Sequence, residues 1–205
     1  MYVIAAMLKI GVIAIQGNVQ EHVEATERAL AGRGTVVKIK HAGIVPTCDG
    51  IIIPGGESTT LCRLSWSEGI AQEIIDLVKA GRPVMGTCAG LILLASKGDD
   101  EVAKTKQRLL GLMDTQVDRN AFGRQVNSFE APLKIKGFDQ AFNAVFIRAP
   151  AIVSAGKGVK VLAKIDGKIV AAQQKNLLAL AFHPELTDDL RLHEYFLRMI
   201  PDNKN

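Results

Sequence analysis

At 205 residues, 48% of them hydrophobic and only 5% aromatic, the chain suits one large domain with a core of Val, Ile, Leu and Ala. A net charge of +4, with bases interleaved among acids, argues against a nucleic-acid face, and no apolar run reaches the roughly 18 to 20 residues of a membrane helix. Three cysteines without C-x-x-C pairing argue against a disulfide framework or a zinc site, which predicts reduced thiols, no metal and a cytoplasmic protein.

Met1 to Ala6 precede a second methionine and read as a short N-terminal extension. The domain itself is expected over residues 7–201, with 202–205 as a tail. Lys9 to Ile15 is a near-continuous apolar run of the kind found in buried parallel strands, and it ends in Gln16-Gly17-Asn18. Asn18 is placed to cap a helix over Val19 to Ala31, with Val19, Val23, Thr26 and Leu30 on its apolar stripe and Gly32 and Gly34 to stop it. Thr35 to Ile39 then returns as a strand beside the first. This βαβ pattern predicts a doubly wound sheet with helices on both faces.

A second buried strand ending at Ile53 breaks into Pro54-Gly55-Gly56-Glu57-Ser58-Thr59-Thr60. Two glycines leave main-chain N–H groups open to a ligand or a developing oxyanion, whereas both common phosphate-loop patterns are absent. A helix around Ser67 to Ala80 leads through Gly81 to the strand that begins after Pro83. That strand runs into Gly86-Thr87-Cys88-Ala89-Gly90, followed at once by an apolar helix. The pattern is a nucleophile elbow carrying cysteine: Gly86 and Gly90 remove the Cβ atoms that would collide in a tight strand-to-helix turn. Placement at the first turn of a helix favours the thiolate.

Lys97 to Gln107 is polar and reads as a surface loop. Beyond it the pattern changes to short strands over Leu110 to Val117, Gln125 to Ile135, Val145 to Ile147, Val159 to Ile165 and Lys168 to Gln173, mainly antiparallel, with Asp166-Gly167 as a hairpin turn. Leu177 to Phe182 is one more buried strand and ends in His183-Pro184-Glu185. A last helix over Asp188 to Ile200 turns Leu192, Phe196, Met199 and Ile200 inward.

His183 and Glu185 sit where open α/β sheets place their ligands, at the end of a strand. A cysteine nucleophile needs a base to move its proton, and that base needs a group to hold its ring. Cys88, His183 and Glu185 fill the three roles. His22 and His193, on predicted helices, and His41, on a loop, are weaker candidates.

Taken with Arg119-Asn120-Ala121-Phe122-Gly123-Arg124-Gln125, Ser128-Phe129-Glu130 and Phe146-Ile147-Arg148-Ala149-Pro150, these stretches resemble the class I, triad-type glutamine amidotransferase family. Within it they are most similar to the glutaminases of pyridoxal 5'-phosphate (vitamin B6) synthesis. The resemblance implies a single-domain three-layer α/β sandwich with a mostly parallel central sheet and antiparallel additions. It implies hydrolysis of L-glutamine to L-glutamate and ammonia through a Cys88 thioester, with no cofactor. Backbone N–H groups of Gly56 and Ala89 would form the oxyanion hole, and Gly56, Glu57, Ser58, Arg119, Ile147 and Arg148 would hold the substrate. The implied partner is a barrel-type synthase subunit that accepts ammonia within a hetero-oligomer.

Other readings remain open on the sequence. A glutaminase of another pathway, such as histidine biosynthesis, would keep the triad but lack the Phe146 to Pro150 motif. A redox or chaperone thiol protein of the same fold would not need His183-Pro184-Glu185, nor would a purely structural partner subunit.

Overall fold

The computed structural model describes residues 7–123 and 128–201. Outside them fall the expected extension and tail, together with Arg124 and Gln125 of the matched motif and the start of the strand expected from Gln125. Among the described residues no helix is long and apolar enough to cross a membrane.

The first half alternates strands and helices: β1 (Leu8–Ile13), α1 (Val19–Leu30), β2 (Gly34–Ile39), β3 (Gly50–Ile53), α2 (Ser58–Ser67), α3 (Ile70–Lys79), β4 (Val84–Thr87) and α4 (Ala89–Leu94). The second is strand-rich: β5 (Ala95–Lys97), α5 (Asp100–Lys104), β6 (Met113–Asp118), β7 (Ser128–Leu133), β8 (Phe142–Ile147), β9 (Ala151–Ala155), β10 (Lys160–Ile165), β11 (Lys168–Gln174), β12 (Leu177–Leu180) and α6 (Arg191–Leu197). Ten strands share one sheet in the order β2-β1-β3-β4-β12-β11-β9-β6-β5, with β10 paired to β11, while β7 and β8 form a separate antiparallel pair.

From β2 to β12 the sheet is parallel, and beyond β12 the β11, β9 and β6 pairings are antiparallel. The mostly parallel sheet with antiparallel additions is therefore present. Its chirality follows from two crossovers that run in opposite directions along the sheet, β1 to β2 and β3 to β4. Right-handed connections put the intervening helices on opposite faces. Accordingly α1 packs with α6, and α2 packs with α3 and α4. Covered on both sides, β3, β4 and β12 are buried at every residue, which is why they read as unbroken apolar runs.

Local chemistry sets most boundaries. Helix α1 ends where Ala31 and Gly32 both take positive φ, and the Ala31 N–H closes on the carbonyls of Glu27 and Arg28. Asp166 and Gly167 carry φ of 48° and 77° and join β10 to β11, the hairpin expected there.

Four expectations are corrected. Asn18 does not cap α1; its side chain is used elsewhere. Gly69, at φ 75°, separates α2 from α3, so the later helix starts at Ile70 and not Ser67. The stretch read as a loop contains α5, because Asp99 caps it by accepting from the Val102 N–H at 2.9 Å and Val102 is buried. The last helix is shorter than expected at both ends, and Met199 and Ile200 are only half-buried. Strand β9, missed in the sequence, follows Pro150 as a short segment without alternation.

One packing contact controls where α4 lies. A Cβ added at Gly90 would sit 2.2 Å from the Ile53 carbonyl oxygen of β3, a backbone atom that cannot rotate away. Gly90→Ala should therefore destabilise the protein by about 1 to 3 kcal/mol. Urea unfolding checks it, and an unchanged midpoint would mean that α4 slides freely over β3.

Candidate active site

Strands β1, β3, β4 and β12 are neighbours, and their C-terminal ends open on one edge of the sheet. The Gln16-Gly17-Asn18 turn, the Gly55-Gly56 loop, Cys88 and His183 therefore meet there. Parallel pairing of β4 with β12 sets Leu180 opposite Thr87, so Cys88 and His183 leave adjacent strands within three residues of the pairing.

Cys88 has φ 49° and ψ −105°, a backbone state that non-glycine residues rarely adopt, and is the residue between β4 and α4. Space for the turn comes from Gly86, where a Cβ would lie 2.6 Å from the Gly90 carbonyl group. Strain of this kind is characteristic of functional sites. Cys88 is 8% exposed; its thiol interacts with the His183 ring and lies 3.9 Å from the Ile147 carbonyl oxygen at the end of β8.

His183 Nδ1 lies 2.7 Å from Glu185 Oε1. That contact assigns the Nδ1 proton to the Glu185 bond and leaves Nε2 free for proton exchange with the thiol. Asn18 Nδ2 donates to the same Oε1 at 3.2 Å, so the side chain expected to cap α1 anchors the carboxylate instead. Burial alone would raise the Glu185 carboxyl, but His22 and His183 beside it overturn that and hold it below the usual range. Burial likewise pulls the His183 ring down, yet hydrogen bonds to Cys88 and Glu185 and the charges on both raise it to about 10.

A Cβ on Gly55 would meet His183 Cε1 at 2.5 Å and Cys88 Cβ at 3.2 Å, so only glycine lets the β3 loop approach both residues. Gly56, at φ 137°, packs against the Gln16 side chain, whose amide donates to the Glu57 carbonyl. The Glu57 carboxylate caps α2, accepting from the N–H groups of Thr59 and Thr60 at 2.8 and 2.7 Å. Although partial burial opposes it, those bonds bring Glu57 down to about 2.

The remaining predicted site residues lie around this centre or at its edge. Ser58 Oγ is buried and has no hydrogen-bond partner. Arg119 follows β6, has its N–H fixed by Asp99 Oδ2 at 2.8 Å, and brings Nη2 within 3.8 Å of Glu57 Oε1. Ile147 ends β8 and Arg148 follows it, both exposed and Arg148 with φ 44°. Ala89 is the first residue of α4. Cys48 and Cys62 are also buried; their thiols hydrogen-bond to the carbonyls of Ile44 and Arg108, and burial pushes both up.

On sequence, Asn18 is expected to cap a helix and His22 is a weaker candidate than His183; neither is placed beside Glu185. His22 is fully buried, with Nε2 3.2 Å from Glu185 Oε2 and 3.0 Å from Thr87 Oγ1. The signal was available: His22 falls on the stripe of Val19, Val23 and Thr26, and a titratable side chain on a buried stripe needs a polar partner.

The raised His183 has a consequence for stability. Its ordinary value is 6.5 and its folded value about 10, so the stabilisation is complete below 6.5 and is lost as pH rises through about 10. The gap in melting temperature between wild type and His183→Asn should narrow from pH 6.5 to pH 10. A gap constant across that window would mean that the ring is not held as a cation.

Comparison with known proteins adds an independent line. The SNO glutamine amidotransferase family matches residues 12–202. The chain is 74% identical to "Pyridoxal 5'-phosphate synthase subunit PdxT" of Methanocella arvoryzae over 97% of this chain and 100% of the relative. It is 67% identical to the protein of the same name from Methanococcoides burtonii over 93% and 98%. A solved structure described as "Crystal structure of glutamine amidotransferase" superposes with a TM-score of 0.85 at 42% identity, covering 93% of this chain and 98% of that one. With the elbow cysteine, the buried His183–Glu185 pair and this agreement over almost the whole length, the chain belongs to the SNO glutamine amidotransferase family.

Proposed function

We propose that this chain hydrolyses L-glutamine to L-glutamate and ammonia and passes the ammonia to the synthase subunit of a pyridoxal 5'-phosphate synthase. One observation carries the chemistry: an elbow cysteine beside a buried histidine whose Nδ1 is held at 2.7 Å by a buried carboxylate. The relatives' printed name supports the destination of the ammonia.

Cys88 Sγ attacks the side-chain amide carbon of glutamine, and the carbonyl oxygen takes the negative charge. The N–H groups of Ala89 and Gly56 receive that oxyanion, each such donor being worth roughly 3 to 4 kcal/mol of barrier. His183 gives its Nε2 proton to the departing nitrogen as the C–N bond breaks, leaving a γ-glutamyl thioester and ammonia. Water then attacks the thioester while His183 takes its proton and returns it to the thiol. Glu185 keeps the ring oriented through both steps.

Substrate recognition is assigned to Gly56, Glu57, Ser58, Arg119, Ile147 and Arg148. Because the Glu57 carboxylate is occupied by the α2 cap, its part is to set the loop and to face Arg119. The unpartnered Ser58 hydroxyl supports a ligand contact there. Arg148 suits the substrate α-carboxylate through a two-pronged contact. Catalysis is placed within residues 7–201, with 1–6 and 202–205 as extension and tail. The acceptor is a barrel-type synthase subunit in a hetero-oligomer, and three unpaired thiols suit the reducing cytoplasm.

The decisive experiment is glutamate release from glutamine by the purified chain with its synthase partner. Cys88→Ala should abolish it with the fold intact, while Cys62→Ala should keep most of it. Turnover by the first variant, or a folded but dead second one, would overturn the assignment of the nucleophile. Arg148→Met should raise KM for glutamine by about 10- to 100-fold, the equivalent of losing a charged hydrogen bond. An unchanged KM would return Arg148 to a structural role.

A further inference from the structure

Beyond the triad a buried polar line continues into the helical layer. Glu185 Oε1 is satisfied by His183 and Asn18, but Oε2 is buried and lacks an aligned hydrogen bond. His22 Nε2 stands 3.2 Å from it; the same nitrogen is 3.0 Å from Thr87 Oγ1 and aligned on it. Thr87 is both nearer and aligned, whereas Glu185 Oε2 meets only the ion-pair distance, so one N–H stands between two acceptors.

The tautomer follows from the other side of the ring. His22 Nδ1 lies 3.4 Å from Nε2 of His193 on α6, and His193 Nδ1 has no partner. A proton on His193 Nε2 donates to His22 Nδ1, which fixes the His22 proton on Nε2, toward Glu185 and Thr87. Both rings are buried and lowered by that burial, His193 to about 3, so they act as neutral imidazoles. Thr87 directly precedes Cys88, so the ring touches both halves of the catalytic centre without reaching the substrate edge.

We propose that His22 is a positioning residue: its Nε2–H, oriented by His193, anchors the outer oxygen of Glu185 and the Thr87 hydroxyl, and so fixes His183 against Cys88. This rests on the glutaminase reading. A carboxylate held at one oxygen can swing about its Cβ–Cγ and Cγ–Cδ bonds, and a ring that follows it loses its alignment with the thiol. The His22 N–H, 3.2 Å from the other oxygen, restrains that swing. The effect belongs to the chemical steps and not to glutamine binding, because His22 is fully buried and its ring nitrogens are engaged by Glu185, Thr87 and His193.

The test uses the full chain with its synthase partner and compares three variants. His22→Leu removes the donor. His22→Gln keeps an amide nitrogen near the place of Nε2, and His22→Asn falls one methylene short. Expected is a loss of kcat on the order of 10- to 100-fold in the Leu and Asn variants, by analogy with the loss when the outer partners of metal-ligating histidines are removed. KM should stay within about twofold, and the Gln variant should recover to within a few-fold of wild type. If the Leu variant does not fold, the Gln and Asn pair decides. Equal kcat in that pair, or losses that track KM, would overturn the proposal. Alkylation of Cys88 by iodoacetamide needs no glutamine and should slow in the Asn variant but not the Gln variant; equal rates in the two would also overturn it. A wild type that releases no glutamate yet shows this alkylation pattern would defeat the glutaminase reading and leave the positioning role standing.

Discussion

Everything at the site depends on the parallel pairing of β4 with β12. These two short strands lie about 90 residues apart in the chain, and their register sets Leu180 against Thr87. Cys88 and His183 are thereby delivered to the same edge on neighbouring strands spaced by roughly 5 Å. A slip of one residue would turn the side chains of β12 to the opposite faces of the sheet and carry His183 away from the thiol. Burial of both strands at every position makes such a slip costly.

Around that pairing the structure concentrates backbone strain and close approach. Cys88 and Arg148 both take positive φ, and Gly55 and Gly90 bring main chain where a Cβ would collide. The elbow is held from three directions: Gly90 against β3, Gly86 against Gly90, and the Cys88 N–H bonded to the Leu180 carbonyl at 2.8 Å. Such over-determination is what lets a strained residue persist. The β1 turn is locked into the same unit. A Cβ on Gly17 would overlap the Gly55 carbonyl, and Gln16 bonds to the Glu57 carbonyl, so the Gln16 turn and the Gly56 loop must move together.

Electrostatics divides the site into a charged inner pair and a neutral outer layer. Inside, the carboxylate of Glu185 and the raised ring of His183 sustain one another despite their burial. Breaking one member of such a pair leaves an uncompensated buried charge, typically a loss of about 3 to 5 kcal/mol. Outside, His22 and His193 are kept neutral by burial and supply dipoles without adding a second cation. Asn18 completes the arrangement from the β1 turn.

Local pattern was enough to read the alternating strands and helices, the Gly86-x-Cys88-x-Gly90 elbow and the His183-Pro184-Glu185 strand end. These signals are local: glycine spacing, apolar runs and residues two apart in extended chain are set within a few positions of one another. It also determined the change to antiparallel strands after Leu110 and the hairpin at Asp166-Gly167. The contacts of Asn18 and His22 emerge from the packed fold alone. On sequence the first is a helix cap and the second a helix-stripe histidine, and their partner Glu185 lies more than 160 residues away. The same holds for Glu57, whose carboxylate folds back on its own helix, and for Asp99, whose capping turned an expected loop into α5 and fixed the Arg119 N–H. Polar side chains with several possible partners take the one that packing brings within about 3 Å, and that choice depends on strand order and register that no local pattern contains.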